Sequence, residues 1–118
     1  MARTKNPDFM NGVPELLILR LLKDREMYGY DLVKAIREST GGEIALGEGV
    51  IYPTLHDLEA KGHLSTRRAA KNGRTRIYYK LTKKGFNRLT DTAGEWSRIA
   101  VAVAKCMEGG APGATAKA

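Results

Sequence analysis

The chain has 118 residues, with 20 Lys and Arg against 13 Asp and Glu, for a formal net charge of +7. That length suits one domain of ordinary size and excludes large multidomain enzyme folds. A hydrophobic fraction of 42% suffices for a packed core, a single Cys leaves no intrachain disulfide framework, and no apolar run reaches the roughly 18 residues of a membrane span.

Residues 1–11 are polar and basic and are expected to form a flexible arm; they lack the apolar centre of a secretion signal, which predicts a cytoplasmic protein. Pro14 then opens a run containing Leu16, Leu17, Ile18, Leu19, Leu21 and Leu22. Proline is well placed at a helix start, where its missing N–H would be unpaired anyway. The run is apolar almost all round, so this first helix should be buried on more than one side and end near Lys23-Asp24-Arg25.

Leu32, Val33 and Ile36 follow Tyr28-Gly29-Tyr30 at the spacing of a short amphipathic helix, stopped by Gly41-Gly42. A connection over residues 43–48 leads to a third helix with Ile51, Leu55 and Leu58 on one face and Pro53 expected in its first turn. The opposite face carries Gly49, Pro53, His56 and Asp57.

The period then changes. Over residues 75–81, Arg76, Tyr78 and Lys80 alternate with Ile77, Tyr79 and Leu81, the pattern of a half-buried strand with one basic face. Residues 64–68 offer a partner strand, and Asn72-Gly73 between them is a strong hairpin signal. Thr82 is a good N-cap for the last helix. In it Phe86, Leu89, Ala93, Trp96, Ala100, Val103 and Met107 recur at alternating spacings of three and four, a heptad seam. At 1.5 Å per residue this helix would run about 37 Å, too far to be covered by so small a domain, so the seam should pair with a second copy. Residues 109–118 lack the bulk to pack and are expected to be disordered.

Charge is concentrated rather than spread. From Glu59 to Asp91 no acidic residue intervenes, and that stretch holds ten of the 20 cations: Lys61, Arg67, Arg68, Lys71, Arg74, Arg76, Lys80, Lys83, Lys84 and Arg88. A basic patch on an otherwise balanced domain favours a polyanionic partner, nucleic acid first. Three helices followed by a hairpin is the order of a winged helix-turn-helix, with the third helix presented to the major groove and the hairpin, or wing, to phosphates. The expected fold is therefore mainly α with a β-hairpin: a DNA-binding domain over residues 12–82 and a long C-terminal dimerisation helix over 83–108. Because the third helix carries Glu48, Asp57 and Glu59, most of the attraction to DNA should come from the wing.

Leu16-Leu17-Ile18-Leu19, Tyr28-Gly29-Tyr30, the run from Gly49 to Gly62 with its Tyr52-Pro53-Thr54-Leu55-His56 element, and the run from Gly73 to Thr82 resemble the PadR family of bacterial transcriptional regulators. The resemblance spans roughly residues 12–107, and the short final helix is similar to that of the smaller members. It implies a homodimeric, mostly repressing regulator of double-stranded DNA, bound to a near-palindromic operator, released by a small molecule or a stress signal, and found on the nucleoid. It also implies that Gly49, Tyr52 and Pro53 start the recognition helix and that Asn72, Gly73 and Arg74 form the wing tip. Thr54, His56, Lys71 and Arg76 complete the DNA-facing set. In small relatives a Trp on the dimerising helix stacks flat aromatic ligands, which makes Trp96, with Leu89, Ala93, Ala100 and Val103, the candidate dimer and effector site.

No enzymatic arrangement is visible, and no cofactor is expected. His56, His63 and Cys106 share no metal-ligand spacing, and a lone Cys near a helix end is usually inert. Two other readings fit the same fold: a non-specific architectural DNA binder, and a winged-helix module that binds protein.

Overall fold

The computed structural model describes residues 11–109, so the expected arm and tail fall, except for Asn11 and Gly109, outside the described residues. Seven elements follow in order: α1 (Val13–Asp24), β1 (Met27–Tyr28), α2 (Gly29–Ser39), α3 (Glu48–Ala60), β2 (Leu64–Lys71), β3 (Arg74–Leu81) and α4 (Lys83–Met107).

Each boundary has a local cause. Pro14 lies in the first turn of α1. Gly41 and Gly42 end α2 with φ of 63° and 84°, a backbone that suits glycine, and their N–H groups donate to carbonyls of the last turn. The Thr82 hydroxyl caps α4 by accepting from the Gly85 N–H at 3.0 Å. Asn72 and Gly73, both at positive φ (52° and 77°), close the β2–β3 hairpin as the sequence predicts.

Two expectations need correcting. The sheet has three strands, in the order β1-β3-β2, not two. Met27 and Tyr28, read from the sequence as the approach to the second helix, pair antiparallel with Tyr79 and Tyr78. Pro53 does not sit in the first turn of α3, because the helix starts at Glu48 and Pro53 is its sixth residue. Its missing N–H leaves the carbonyl of exposed Gly49 without an intrahelical donor.

The core lies where α1, α2 and α3 converge on one face of the sheet. Ile18, Leu19, Leu32, Ile36, Ile51, Leu55 and Leu58 are fully buried, joined by Met27, Leu64, Tyr79 and Leu89. Each such aliphatic side chain contributes about 1.5–3 kcal/mol of transfer free energy. Leu46, in the connection before α3, is buried too. That connection is held by the Thr40 hydroxyl, which donates to the Ile36 carbonyl at 2.8 Å and accepts from the Ile44 N–H at 3.1 Å.

Helix α4 divides in two. Its first turns close the core: Gly85 and Leu89 are buried and Ala93 packs against the cluster. From Gly94 onward every described residue is exposed. The radius of gyration, 17.7 Å, exceeds the ~13 Å of a compact domain of about 100 residues because this half projects from the rest.

Candidate nucleic-acid interface

Two surfaces carry the residues that the sequence singles out. The first is the outward face of α3. With Ile51, Leu55 and Leu58 turned to the core, Gly49, Pro53, His56 and Asp57 are all exposed. Asp57 is tied to Lys61 at 3.0 Å. Tyr52 and Thr54 are drawn back. The Tyr52 ring lies against Gly29 at the start of α2, so close that a Cβ on Gly29 would stand 2.4 Å from ring atoms. Burial pushes the Tyr52 hydroxyl above its usual pKa. Thr54 turns its hydroxyl onto the Val50 carbonyl at 2.8 Å. The start of α3 is thus built partly of packing residues, and the side chains left free on it are few.

The second surface is the wing. Lys71, Asn72, Gly73 and Arg74 are exposed at its tip, with Arg68 on the opposite face of β2 from Lys71's neighbour Ala69. Arg76 is half-buried rather than fully exposed: its guanidinium lies 4.6 Å from the centre of the Tyr28 ring. Ile77, assigned by alternation to the buried face, is 41% exposed because the hairpin extends past the end of the core.

Several cations of the basic segment are neutralised elsewhere. Arg67 hydrogen-bonds Glu26 through its Nε at 3.0 Å, which holds the Glu26 carboxyl below its usual pKa and raises Arg67. Arg88 donates to Glu15 at 2.6 Å, joining α4 to α1 and raising the Arg88 pKa. Among the described residues, seven cations of the segment have no acidic partner, and five of them, Arg68, Lys71, Arg74, Arg76 and Lys80, lie on β2 and β3, the other two being Lys83 and Lys84 at the start of α4. Uncommitted charge therefore gathers on the wing, where a polyanion meets the least competition.

The sequence profile of the transcriptional regulator PadR-like family matches residues 18–91, which include α2, α3 and the whole wing. The chain belongs to this PadR-like family. Its members are transcriptional regulators, not enzymes. The transcriptional regulator YqjI of Escherichia coli is 39% identical over 77 residues, 65% of this chain but only 36% of that protein. Among solved structures, a transcriptional regulator from Clostridium thermocellum superposes with a TM-score of 0.78 at 26% identity, covering 84% of this chain and 97% of its own. Bacillus subtilis PadR in complex with operator DNA gives a TM-score of 0.65 at 29% identity, over 70% of this chain and 46% of that one.

The candidate dimer and effector residues of this PadR-like chain do not form one unit. Leu89 is only 5% exposed and belongs to the core of its own chain, so it is corrected from the seam. The reason is geometric: α4 lies along α1 through its first turns, and the face that bears Leu89 is already covered there. The same face continues outward as Trp96, Ala100, Val103 and Met107, all exposed, with Met107 at 79%. Ile99 and Val101 add exposed apolar surface that the heptad spacing misses. Trp96 and Ile99 border an open cleft of about 300 Å³ with Val13, Leu16, Arg88 and Thr92. No helix among the described residues is long and apolar enough to cross a membrane.

Tyr28 is the functional candidate that the sequence reading passes over. A two-residue strand is too short to leave a periodic signal.

Proposed function

We propose that this chain is a homodimeric repressor that holds a near-palindromic double-stranded operator through α3 and the wing. The observation that carries this reading is the wing itself: Arg68, Lys71, Arg74 and Arg76, without acidic partners among the described residues, beside an exposed α3 face of Gly49, Pro53 and His56. Wing cations neutralise phosphates, and the bare start of α3 lets backbone approach a groove closely. Residues 12–82 act as the DNA-binding part and 83–108 as the dimerisation helix. Burial of Trp96, Ala100, Val103 and Met107 against a second copy removes an apolar stripe that a lone chain leaves in water. Two-fold pairing then sets the recognition helices about one helical turn of DNA apart. The cleft beside Trp96 takes a flat aromatic effector whose binding, or a stress signal, releases the operator. The regulator works in the bacterial cytoplasm, on the nucleoid.

The test is selection of bound genomic fragments at physiological salt, followed by competition against random DNA. Enrichment of a near-palindrome that outcompetes random DNA about a thousandfold or more supports the repressor. One observation favours a second reading: among the described residues, the exposed side chains of α3 that are hydrogen-bonding and not already paired are Glu48 and His56, a sparse set for reading bases. A steep salt dependence with no preference between sequences would replace the specific repressor with an architectural DNA binder.

A further inference from the structure

The outer face of the sheet carries an ordered stack. Tyr28 on β1 stands opposite Tyr78 on β3, and the two rings meet edge to face with centres 5.4 Å apart. Arg67 covers Tyr78 at 4.9 Å, and Glu26 neutralises it. Arg76 covers Tyr28 at 4.6 Å, and the Lys71 ammonium approaches the same ring at 5.5 Å. The two ends of the stack therefore differ in charge. At Tyr78 the cation is spent on a carboxylate; at Tyr28 two cations from different strands share one ring and, among the described residues, have no acidic partner. The Arg76 Nε is buried with no hydrogen-bond acceptor, so the π face of Tyr28 is what the guanidinium rests on.

Two like charges on long flexible side chains would otherwise separate and sample many rotamers, and ordering them at the moment of binding costs affinity. We propose that Tyr28 is a positioning residue that holds Lys71 and Arg76 together, before DNA arrives, as a two-cation clamp for backbone phosphate. This rests on the DNA-binding reading above. Tyr28 acts through the two cations. Its loss lowers affinity at every salt concentration while the number of phosphates neutralised, and hence the salt slope, stays as in the wild type.

The test is a double-mutant cycle on duplex DNA, read as affinity against salt. Tyr28→Leu is expected to bind about tenfold more weakly, and Tyr28→Phe, which keeps the ring, to bind like the wild type. Lys71→Ala or Arg76→Ala should instead flatten the salt slope by about one. In the Lys71→Ala/Arg76→Ala background, Tyr28→Leu should cost nothing further. Tyr28→Met, unbranched and of similar reach, replaces the leucine variant if thermal melting shows the latter unfolded. A Tyr28→Leu or Tyr28→Met chain that is folded and binds like the wild type overturns the clamp alone, as does an equal loss with and without the two cations. A wild-type chain that binds no DNA overturns the clamp and the regulator reading together.

Discussion

Gly85→Ala tests the packing of α4 on the winged domain. In an open helix the change should help, since alanine is favoured over glycine by about 1 kcal/mol. At Gly85 it should harm. A Cβ there would lie 2.1 Å from the His63 carbonyl oxygen and 3.0 Å from both the His63 carbonyl carbon and Leu81 Cδ1. The first neighbour is backbone and cannot swing aside, so α4 must retreat from the turn between α3 and β2 by roughly 1 Å. The His63 oxygen also accepts from the Thr82 N–H at 3.1 Å and the Thr82 hydroxyl at 3.0 Å. Losing two such bonds costs about 2 kcal/mol net, and overpacking adds about 1–3 kcal/mol. After the gain in helix propensity, the net loss is about 2–4 kcal/mol, or on the order of 10 °C or more in Tm for a domain of this size. Gly94→Ala is the control, because nothing lies within 4 Å of a Cβ there. It should raise stability by up to about 1 kcal/mol. Thermal and urea denaturation at one fixed protein concentration measure both, since association alone shifts Tm. A Gly85→Ala chain as stable as the wild type would refute this packing of α4 on the turn at His63.

Other outcomes follow from the same geometry. Lys71→Ala and Arg74→Ala should each weaken binding to all duplexes and reduce the salt slope by about one; unchanged affinity in both would remove the wing from the interface. Tyr52→Ala should lower stability as well as affinity, because the ring packs on Gly29; a loss of binding with an unchanged melting curve would make Tyr52 a reader of DNA instead of a spacer. Val103→Glu with Met107→Glu should give monomers in sedimentation while the winged domain keeps its fold, and a persistent dimer would count against the outer half of α4. His63 is held below its ordinary pKa of 6.5, first by burial and then by Lys84, and its Nδ1 is buried without a partner. The unfolded chain therefore takes up that proton at higher pH than the folded one. Stability from this group is complete above pH 6.5 and falls on acidification through that value towards the lower folded pKa. Urea titrations from pH 7.5 to 5 should show a smaller decline in His63→Gln, and an equal decline would exclude His63 as the cause.

The sequence by itself determined most of the local structure. Proline and glycine stops, apolar spacing and the Asn72-Gly73 turn act over a few residues, so three helices, the wing and the long last helix were legible without tertiary information. The concentration of cations from Lys61 to Arg88 was legible for the same reason, since charge is read residue by residue. What lies far apart in sequence was decided only in three dimensions. Met27 and Tyr28 became a strand because the edge of β3, some fifty residues on, was there to pair with them. Leu89 left the seam because α1 covers it, while Trp96, two turns further, stands half exposed at the rim of the cleft. Sequence also cannot tell a committed cation from a free one. Arg67 and Arg76 look alike in the strand pattern, yet one is bound to Glu26 and the other rests on Tyr28. That difference depends on which distant side chain each meets across the sheet, a matter of register and packing that no local periodicity encodes.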